Sequence, residues 1–227
     1  MKRLLVIVSA CVIVFLFVIH NAKSLFPQQQ DHTLLTGVFL ADTPSNEQLV
    51  QFSREFGKTP YFILLFLDWE QNIPKSLLQD IFSEGSNPVI TWEPWDTQKK
   101  QKTLWEDIIK GNFDQYIDDF AKEIGSLKKT VFLRFAHEMN GNWYPWSSAF
   151  IGPSNYKSMY RHVKDRFDAL HIHNVKWVFS INCENVPSNN DYTLSYPGNS
   201  YVDYIGIDGY NWGYTRSYSE WKSFQEL

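Results

Sequence analysis

Six strand-length apolar segments alternate with amphipathic segments, and this alternation constrains the fold more than any other feature of the chain. The strand-like segments are Leu34–Asp42, Thr59–Trp69, Asn87–Trp95, Thr130–Asn140, Val175–Asn185 and Val202–Trp212. The helix-like segments are Ser45–Gly57, Ile73–Gly85, Asn112–Leu127, Gly152–Leu170 and Ser217–Leu227, with Ser45 as the expected N-cap of the first. Nearly continuous apolar strands separated by helices are typical of a parallel sheet that is covered on both faces. The sequence therefore predicts an α/β fold.

Polar and aromatic residues follow five consecutive strand segments. These segments end in "LDWE", "TWEPWD", "AHEMNGNW", "INCEN" and "IDGYNW". In a β/α barrel the carboxyl ends of all strands form the face that carries the active site. In a doubly wound sheet, polar residues would instead gather mainly at the switch point. The recurrence at nearly every strand favours a (β/α)8 TIM barrel, with about six of the eight β/α units in this sequence.

Several functional classes are excluded by what the sequence lacks. No glycine-rich phosphate-binding motif follows the first strand. The net charge is −4 and no basic block occurs, which argues against a nucleic-acid partner. His137 and Glu138 begin an apparent zinc motif, but Gly141 occupies the position of the second histidine. We therefore expect no metal and no cofactor.

Glu138 is the strongest candidate for a catalytic carboxylate. Strand alternation places Arg134, Glu138 and Asn140 on one face of the fourth strand and His137 on the other. His137 and Glu138 can both reach a cleft only if the strand bends or ends there. The alternative is a structural ion pair between Glu138 and Arg134.

Tryptophan and tyrosine rings beside these acids and amides indicate the type of ligand. The chain contains nine tryptophans, and several of them lie at strand ends. Flat amphipathic rings next to carboxylates and amides suit a sugar, which has apolar C–H faces and hydroxyl edges. Asp208 and Tyr210 share one face of the sixth strand, where the tyrosine hydroxyl can hold the carboxylate in position.

The N-terminal segment predicts export from the cytoplasm. Lys2 and Arg3 precede an uncharged apolar run over residues 4–19. Residues 1–25 are therefore interpreted as a signal peptide or as an uncleaved membrane anchor, and both alternatives stay open. Residues 26–33 form a polar spacer, and residues 34–227 form the barrel domain. We expect an extracytoplasmic monomer that is secreted or tethered to the membrane through residues 4–19.

The motifs "RFAHEMNGNWYPW", "ITWEPW" and "VDYIGIDGYNW" resemble those of glycoside hydrolase family 26, which is best known for endo-β-1,4-mannanases. The resemblance implies a (β/α)8 barrel and hydrolysis of a β-linked polysaccharide with retention of configuration. Mannan is the first expected substrate, with β-glucan and xylan as alternatives. Glu138 matches the family's general acid/base. The expected substrate-binding residues are His137, Trp143, Tyr210, Trp92, Trp146, Trp212, Asp208 and Asn140.

The resemblance also implies a nucleophile that this sequence does not contain. In the family it is a glutamate at the end of the seventh strand, whereas this sequence stops after the sixth. We therefore expect a truncated and inactive glycanase. One alternative is a non-catalytic carbohydrate-binding barrel. Another is an inverting hydrolase that pairs Glu138 with Asp208 or Glu184, with the carboxyl groups roughly 6.5–9.5 Å apart.

Overall fold

The computed structural model describes residues 35–40, 44–69, 71–95, 104–223 and 225–226. The predicted leader and spacer lie outside these residues. None of the helices in the described ranges is long and apolar enough to cross a membrane.

All six strands lie parallel in one sheet, and their order in space is their order along the chain. They are β1 (Gly37–Val38), β2 (Phe62–Asp68), β3 (Asn87–Glu93), β4 (Val131–Phe135), β5 (Val175–Asn182) and β6 (Tyr204–Asp208). A doubly wound sheet reverses its direction of growth at a switch point, and this sheet has no reversal among the described strands. The prediction of a β/α-barrel type of fold, with six strands present, is confirmed.

Helices follow the strands as the amphipathic segments predict. They are α1 (Asn46–Phe56), α2 (Lys75–Ser83), α3 (Trp105–Ile109), α4 (Asp114–Ser126), α5 (Ser148–Ile151) and α6 (Pro153–Ala169), with short 3-10 turns at Tyr192–Ser195 and Asn199–Tyr201. The predicted N-cap Ser45 is confirmed, since it forms a capping box with Gln48.

The helix predicted over Ser217–Leu227 is wrong for the described part of this segment, which contains turns and no helix. Asn211 explains the difference. Its side-chain amide donates to the carbonyl of Lys222, and its Oδ1 accepts from the Lys222 N–H. These two bonds connect residues eleven positions apart, so they hold the segment as a loop rather than as a helix.

The helices cover the outer face of the sheet with a continuous apolar core. On β5, for example, Trp177 and Phe179 pack against Tyr160 and Phe167 of α6. Trp69, at the end of β2, has no exposed surface. Burial of each such side chain stabilises the fold by roughly 1.5–3 kcal/mol, so this core fixes the position of the strands beneath the site.

The inner face is built in layers from alternate strands. Phe132 of β4 contacts Phe62 of β2 at a ring-centroid distance of 5.0 Å and Tyr204 of β6 at 5.4 Å. Closer to the carboxyl ends, the guanidinium of Arg134 lies 5.5 Å from the centre of the Phe66 ring. Layers supplied by every second strand are the arrangement of a β/α-barrel interior. The apolar layer is therefore the floor on which the polar site rests.

Candidate active site

The backbone turns sharply where β4 ends. Ala136 and Glu138 both have positive φ angles, 48° and 51°, which residues with a side chain rarely adopt. The turn is held from both sides, because Ala136 N–H donates to the Trp92 carbonyl of β3 and Glu138 N–H donates to the Ser180 carbonyl of β5. Strict alternation is thereby broken, and this end of the strand is where His137 and Glu138 both lie. Such strained residues persist where neighbouring bonds fix them, and they occur often at functional sites.

The carboxyl group of Glu138 is buried and held by one donor at each oxygen. Trp143 Nε1 donates to Oε2 at 2.7 Å, and Asn182 Nδ2 donates to Oε1 at 3.2 Å. Burial raises the pKa of Glu138, and the negative charge of Asp208 raises it further. The two hydrogen bonds and the charge of Arg134 lower this pKa, but burial prevails. The group is therefore suited to carry a proton.

Arg134 pairs with Asp208 and not with Glu138. Its Nη1 lies 2.7 and 2.8 Å from the two oxygens of Asp208, and its Nε donates to Thr91 Oγ1 at 2.9 Å. Ser180 Oγ donates to Asp208 Oδ2 at 2.8 Å. The sequence suggested a structural ion pair between Arg134 and Glu138 as an alternative. The structure shows that Arg134 forms this ion pair with Asp208 instead. Since both oxygens of Asp208 already accept hydrogen bonds, Asp208 acts here as a fixed anion beneath the cleft.

His137 lies buried beside Glu138 and is neutral. Burial, together with the positive charge of Arg134, lowers its pKa well below the usual value. Its Nε2 lies 3.0 Å from the hydroxyl of Tyr144, whose pKa burial raises, so the tyrosine keeps its proton. Its Nδ1 has no hydrogen-bond partner within the described part of the chain.

A second buried carboxylate, Glu93, lies on the neighbouring strand. Glu93 ends β3 in register with Asp68 of β2, and its Oε2 accepts from Trp95 Nε1 at 2.9 Å. Burial raises the pKa of Glu93 to about 7. The Trp95 bond opposes this rise, whereas Asp68 adds to it through its charge and through a side-chain hydrogen bond. Near neutral pH, Glu93 is therefore a partly protonated group.

Three of the predicted sugar-binding rings are exposed at the strand ends. Tyr210 and Trp212 stack with centroids 5.2 Å apart and planes 14° from parallel. They line a pocket of about 520 Å³ together with Asn182, the residue that bonds to Glu138. Trp143, 44% exposed, lies directly over Gly141, where an added Cβ would come within 2.4 Å of the indole. Apolar ring faces thus border the carboxyl group of Glu138.

The structure places Trp92 and Trp146 away from the cleft, and both are fully buried. Trp92 points outwards from β3, where it stacks on Phe120 of α4 at 4.0 Å. Trp146 donates from its Nε1 to the His137 carbonyl and stacks on Tyr144 at 4.5 Å. Neither side chain has a surface for a sugar, so the sequence-based assignment of substrate contacts to these two residues is corrected. Their roles are packing and support of the strand end.

Asn140 is also fully buried, and its predicted contact with substrate is corrected as well. Its amide instead bonds to the backbone at the end of β5. Oδ1 accepts from Asn182 N–H at 2.8 Å, and Nδ2 donates to the Asn182 carbonyl at the same distance.

Asn182 and Tyr144 contact the predicted site residues but were not singled out from the sequence. Asn182 ends β5, so the strand-end rule that selected Glu138 contained the signal for it. Tyr144 lies in a loop, and the sequence offers no periodicity that would place its hydroxyl beside His137. Within the described ranges, no group of three or more histidine, cysteine or acidic side chains could hold a metal ion.

Comparison with known proteins identifies relatives over most of the described chain. The sequence model of glycosyl hydrolase family 26 matches residues 88–226. "Endoglucanase H" of Acetivibrio thermocellus is 36% identical over 201 residues, which cover 86% of this chain and 22% of that protein. A "Mannan endo-1,4-beta-mannosidase" of Bifidobacterium adolescentis is 30% identical over 108 residues, 44% of this chain and 11% of the relative. The chain thus spans about a fifth of the first relative and less of the second.

Solved structures show the same fold. The Bacillus subtilis mannanase BCman superposes with a TM-score of 0.63 at 22% identity, covering 80% of this chain and 64% of that one. A Cellulomonas fimi endo-beta-1,4-mannanase superposes with a TM-score of 0.60 at 17% identity, covering 78% of this chain and 48% of the other. At these identities the likeness establishes the architecture alone.

Proposed function

The chain belongs to glycosyl hydrolase family 26, whose sequence model matches more than half of it, and on that premise we propose that it takes part in retaining hydrolysis of a β-linked polysaccharide, with Glu138 as the acid/base. The observation that carries the proposal is the position of Glu138. It is buried at a strand end, bonded at both oxygens, and bordered by exposed rings. A carboxyl group whose pKa is raised by burial can donate a proton near neutral pH.

Glu138 would act twice in this reaction. As an acid it donates its proton to the departing glycosidic oxygen, and as a carboxylate it then removes a proton from the water that releases the second product. The N–H groups of Trp143 and Asn182 stabilise the carboxylate, whereas burial stabilises the acid. These opposed effects keep both forms accessible during the cycle.

Retention requires a second carboxylate about 5–5.5 Å from the first. The family resemblance assigns it to a seventh strand, and six strands are described here. Asp208 is a poor substitute, because Arg134 and Ser180 already occupy both of its oxygens. The nucleophile is therefore the component that the proposal takes from the family.

Mannan is the first proposed substrate, with β-glucan and xylan as alternatives. The names of the relatives include both a mannosidase and an endoglucanase. The stacked Tyr210–Trp212 pair offers an apolar surface to the C–H face of any β-linked pyranose, so it favours a sugar without choosing among these three.

The test compares the wild-type chain with Glu138→Gln and Glu138→Ala on β-mannan, mixed-linkage glucan and an aryl β-glycoside, each with and without azide as an external nucleophile. General acid catalysis contributes about 10²–10⁴-fold, so both variants should lose at least a hundredfold of wild-type turnover on polysaccharide. The aryl glycoside needs little protonation, so it should be affected less. Glu55→Gln is the matched control, since Glu55 is an exposed carboxylate in the last turn of α1 and is not among the predicted site residues. Unchanged turnover in Glu138→Gln would refute the assignment.

A non-catalytic carbohydrate-binding function is the second candidate. It is favoured by the exposed stacked rings and by the engagement of Asp208 with Arg134. Affinity electrophoresis in gels that contain mannan or glucan would detect binding. Retarded migration without turnover, even with azide as an external nucleophile, would identify a binding protein. Turnover that depends on azide would identify a catalytic site that needs a nucleophile.

The location and assembly of the protein are separate proposals. The apolar run over residues 4–19 would direct the chain out of the cytoplasm, as a cleaved signal or as a tether. Fractionation and N-terminal sequencing of the expressed protein distinguish the two. We also propose a monomer, which gel filtration with light scattering tests.

A further inference from the structure

We propose that Asn182 is a positioning residue for the proton-carrying carboxyl of Glu138, and that Asn140 holds Asn182 in place by acting as a substitute for a strand residue. The inference rests on the proposed function, because it assigns a task to neighbours of the acid/base. It is carried by three sets of hydrogen bonds around the carboxyl ends of β4 and β5.

The first set fixes which atom of Asn182 faces Glu138. Asn182 Oδ1 accepts from the backbone N–H of Glu184 at 3.0 Å, and a backbone N–H can only donate. The amide cannot flip without losing this bond. Its Nδ2 is therefore the atom directed at Glu138 Oε1, 3.2 Å away, as a donor.

The second set fixes the backbone of Asn182. The side chain of Asn140 accepts from its N–H and donates to its carbonyl, both at 2.8 Å. In a parallel ladder the N–H and the carbonyl of one residue bond to two different residues of the neighbouring strand, and here the side-chain amide of Asn140 takes the place of both. The β4 strand, however, ends at Phe135, and its backbone no longer runs alongside β5 at this level. One buried amide thus continues the ladder where the strand has stopped.

The third set connects Asn140 to the loop that follows β5. Its Nδ2 also lies 3.2 Å from the Glu184 carbonyl and 2.9 Å from Asn185 Oδ1, and its own carbonyl accepts from Val186 N–H at 2.8 Å. Asn140 is fully buried, so its amide serves the protein and not the substrate. Its task is to keep the loop that carries Asn182 against Glu138.

The consequence is a carboxyl group held from both sides. Trp143 fixes Oε2, and Asn182 fixes Oε1, so rotation of the carboxyl plane would break two hydrogen bonds. The Asn182 donor also stabilises the ionised form and lowers the pKa of Glu138. Asn182 therefore helps to fix the orientation of the carboxyl group, and it opposes the rise of the Glu138 pKa that burial causes.

Other charged groups around Glu138 must be accounted for in a test of pH dependence. Arg134 from β4 lowers the pKa of Glu138, and Asp208 from β6 raises it. Tyr144 and Tyr210 face the same carboxyl group from the loops after β4 and β6, but raised pKa values keep both neutral. None of these groups changes when Asn182 is replaced, so a shift can be attributed to the lost donor.

Asn182→Asp is the sharpest variant. It keeps the shape of the side chain and the acceptor for Glu184 N–H, but it places a second carboxylate against Glu138 Oε1 in place of a donor. The pKa of Glu138 should then rise by about one pH unit or more. Asn182→Ala, which only removes the donor, should shift it in the same direction by less. Asn189→Asp, an exposed position on the same loop, is the control for added charge.

The measurement is a ¹³C NMR titration of side-chain carboxyl groups in the full chain labelled on glutamate, with Glu138→Gln used to assign the signal. An unchanged Glu138 titration in Asn182→Asp would overturn the inference, whether or not the chain hydrolyses a polysaccharide. A shifted titration in a chain that neither binds nor cleaves glycans would support the positioning and refute the proposed function. Where turnover is measurable, the alkaline limb of kcat/KM should move to higher pH.

The role of Asn140 is tested by combining variants. If Asn140 acts through Asn182, the Glu138 titration in Asn140→Ala should shift upwards, and the double variant with Asn182→Ala should shift no further than Asn182→Ala alone. Additive shifts would show that Asn140 influences Glu138 by another route. Circular dichroism tests whether each variant is folded. If Asn140→Ala does not fold, Asn140→Ser replaces it in the comparison.

Discussion

Replacing Glu93 with glutamine should remove a pH-dependent loss of stability from this protein. Glu93 is buried at the end of β3, where Trp95 donates to one of its oxygens and Asp68 lies beside it. Glutamine keeps an oxygen for Trp95 and adds an amide that can donate to Asp68. The substitution therefore removes the ionisation and preserves most of the contacts.

The size of the effect follows from the raised pKa. In the folded protein the pKa of Glu93 is about 7, against a usual value of 4.5. Between these pH values the folded protein holds a proton that the unfolded chain has released, so the free energy of unfolding falls as pH rises through this window. The pKa is raised by about 2.5 pH units, and each unit corresponds to about 1.4 kcal/mol. The loss is nearly complete by about pH 8, one unit above the folded-state pKa, and amounts to about 3 kcal/mol.

Urea unfolding at a series of pH values, followed by tryptophan fluorescence, measures this difference. Near pH 4 wild type and Glu93→Gln should have similar stability, and near pH 8 the variant should be about 3 kcal/mol more stable. In thermal melts this corresponds to about 6–12 °C. Glu138 titrates in both proteins, so its contribution cancels in the comparison. Glu220→Gln, at an exposed glutamate, is the control. Parallel stability curves across this range would refute the argument.

Two further substitutions test the geometry of the site. Gly141→Ala should displace the indole of Trp143, because the new Cβ would lie 2.4 Å from it; oligosaccharide affinity should fall about tenfold, or about 1.4 kcal/mol. Isothermal titration calorimetry measures this loss, and Gly209→Ala, where the nearest atom is 3.5 Å away, should bind normally. Arg134→Met should lower the free energy of unfolding by about 3–5 kcal/mol, because it leaves Asp208 without its charge partner. Urea unfolding measures this free energy, and a decrease of less than about 1 kcal/mol would contradict the prediction.

The barrel architecture could be predicted because it depends on patterns that repeat along the chain. Each apolar strand segment lies next to the strands that precede and follow it in sequence, and the polar strand ends collect on one face. One local signal, Ser45 as the N-cap of α1, was also readable from the sequence. The loop after β6 could not be predicted, because hydrogen bonds from a single side chain, Asn211, override the helical periodicity of this segment.

The assignment of individual strand-end residues was less reliable, and Trp92 shows why. Trp92 and Glu93 are consecutive in a strand, so only one of them can face the barrel interior. Glu93 takes that position, and Trp92 enters the helical layer. Being near a strand end therefore does not place a side chain in the cleft. The direction depends on the residue at which the strand ends.

At Glu138 the direction depends on a backbone feature that composition cannot reveal. A regular strand would have placed His137 and Glu138 on opposite faces. The left-handed conformations of Ala136 and Glu138 break that alternation. Neither residue is a glycine, which would have marked such positions in the sequence. The signal lies in the surrounding hydrogen bonds, which come from β3 and β5 and are therefore visible only in the folded chain.

The pairing of Arg134 with Asp208 explains how a carboxyl group can stay protonated above a buried arginine. An unpaired guanidinium at this position would lower the pKa of Glu138 and favour the carboxylate. Asp208 neutralises that charge at 2.7 Å, and its own effect on Glu138 has the opposite sign. With the two charges opposed, burial decides the protonation of Glu138. The ion pair thus supports the sheet beneath the site and leaves the acid able to hold its proton.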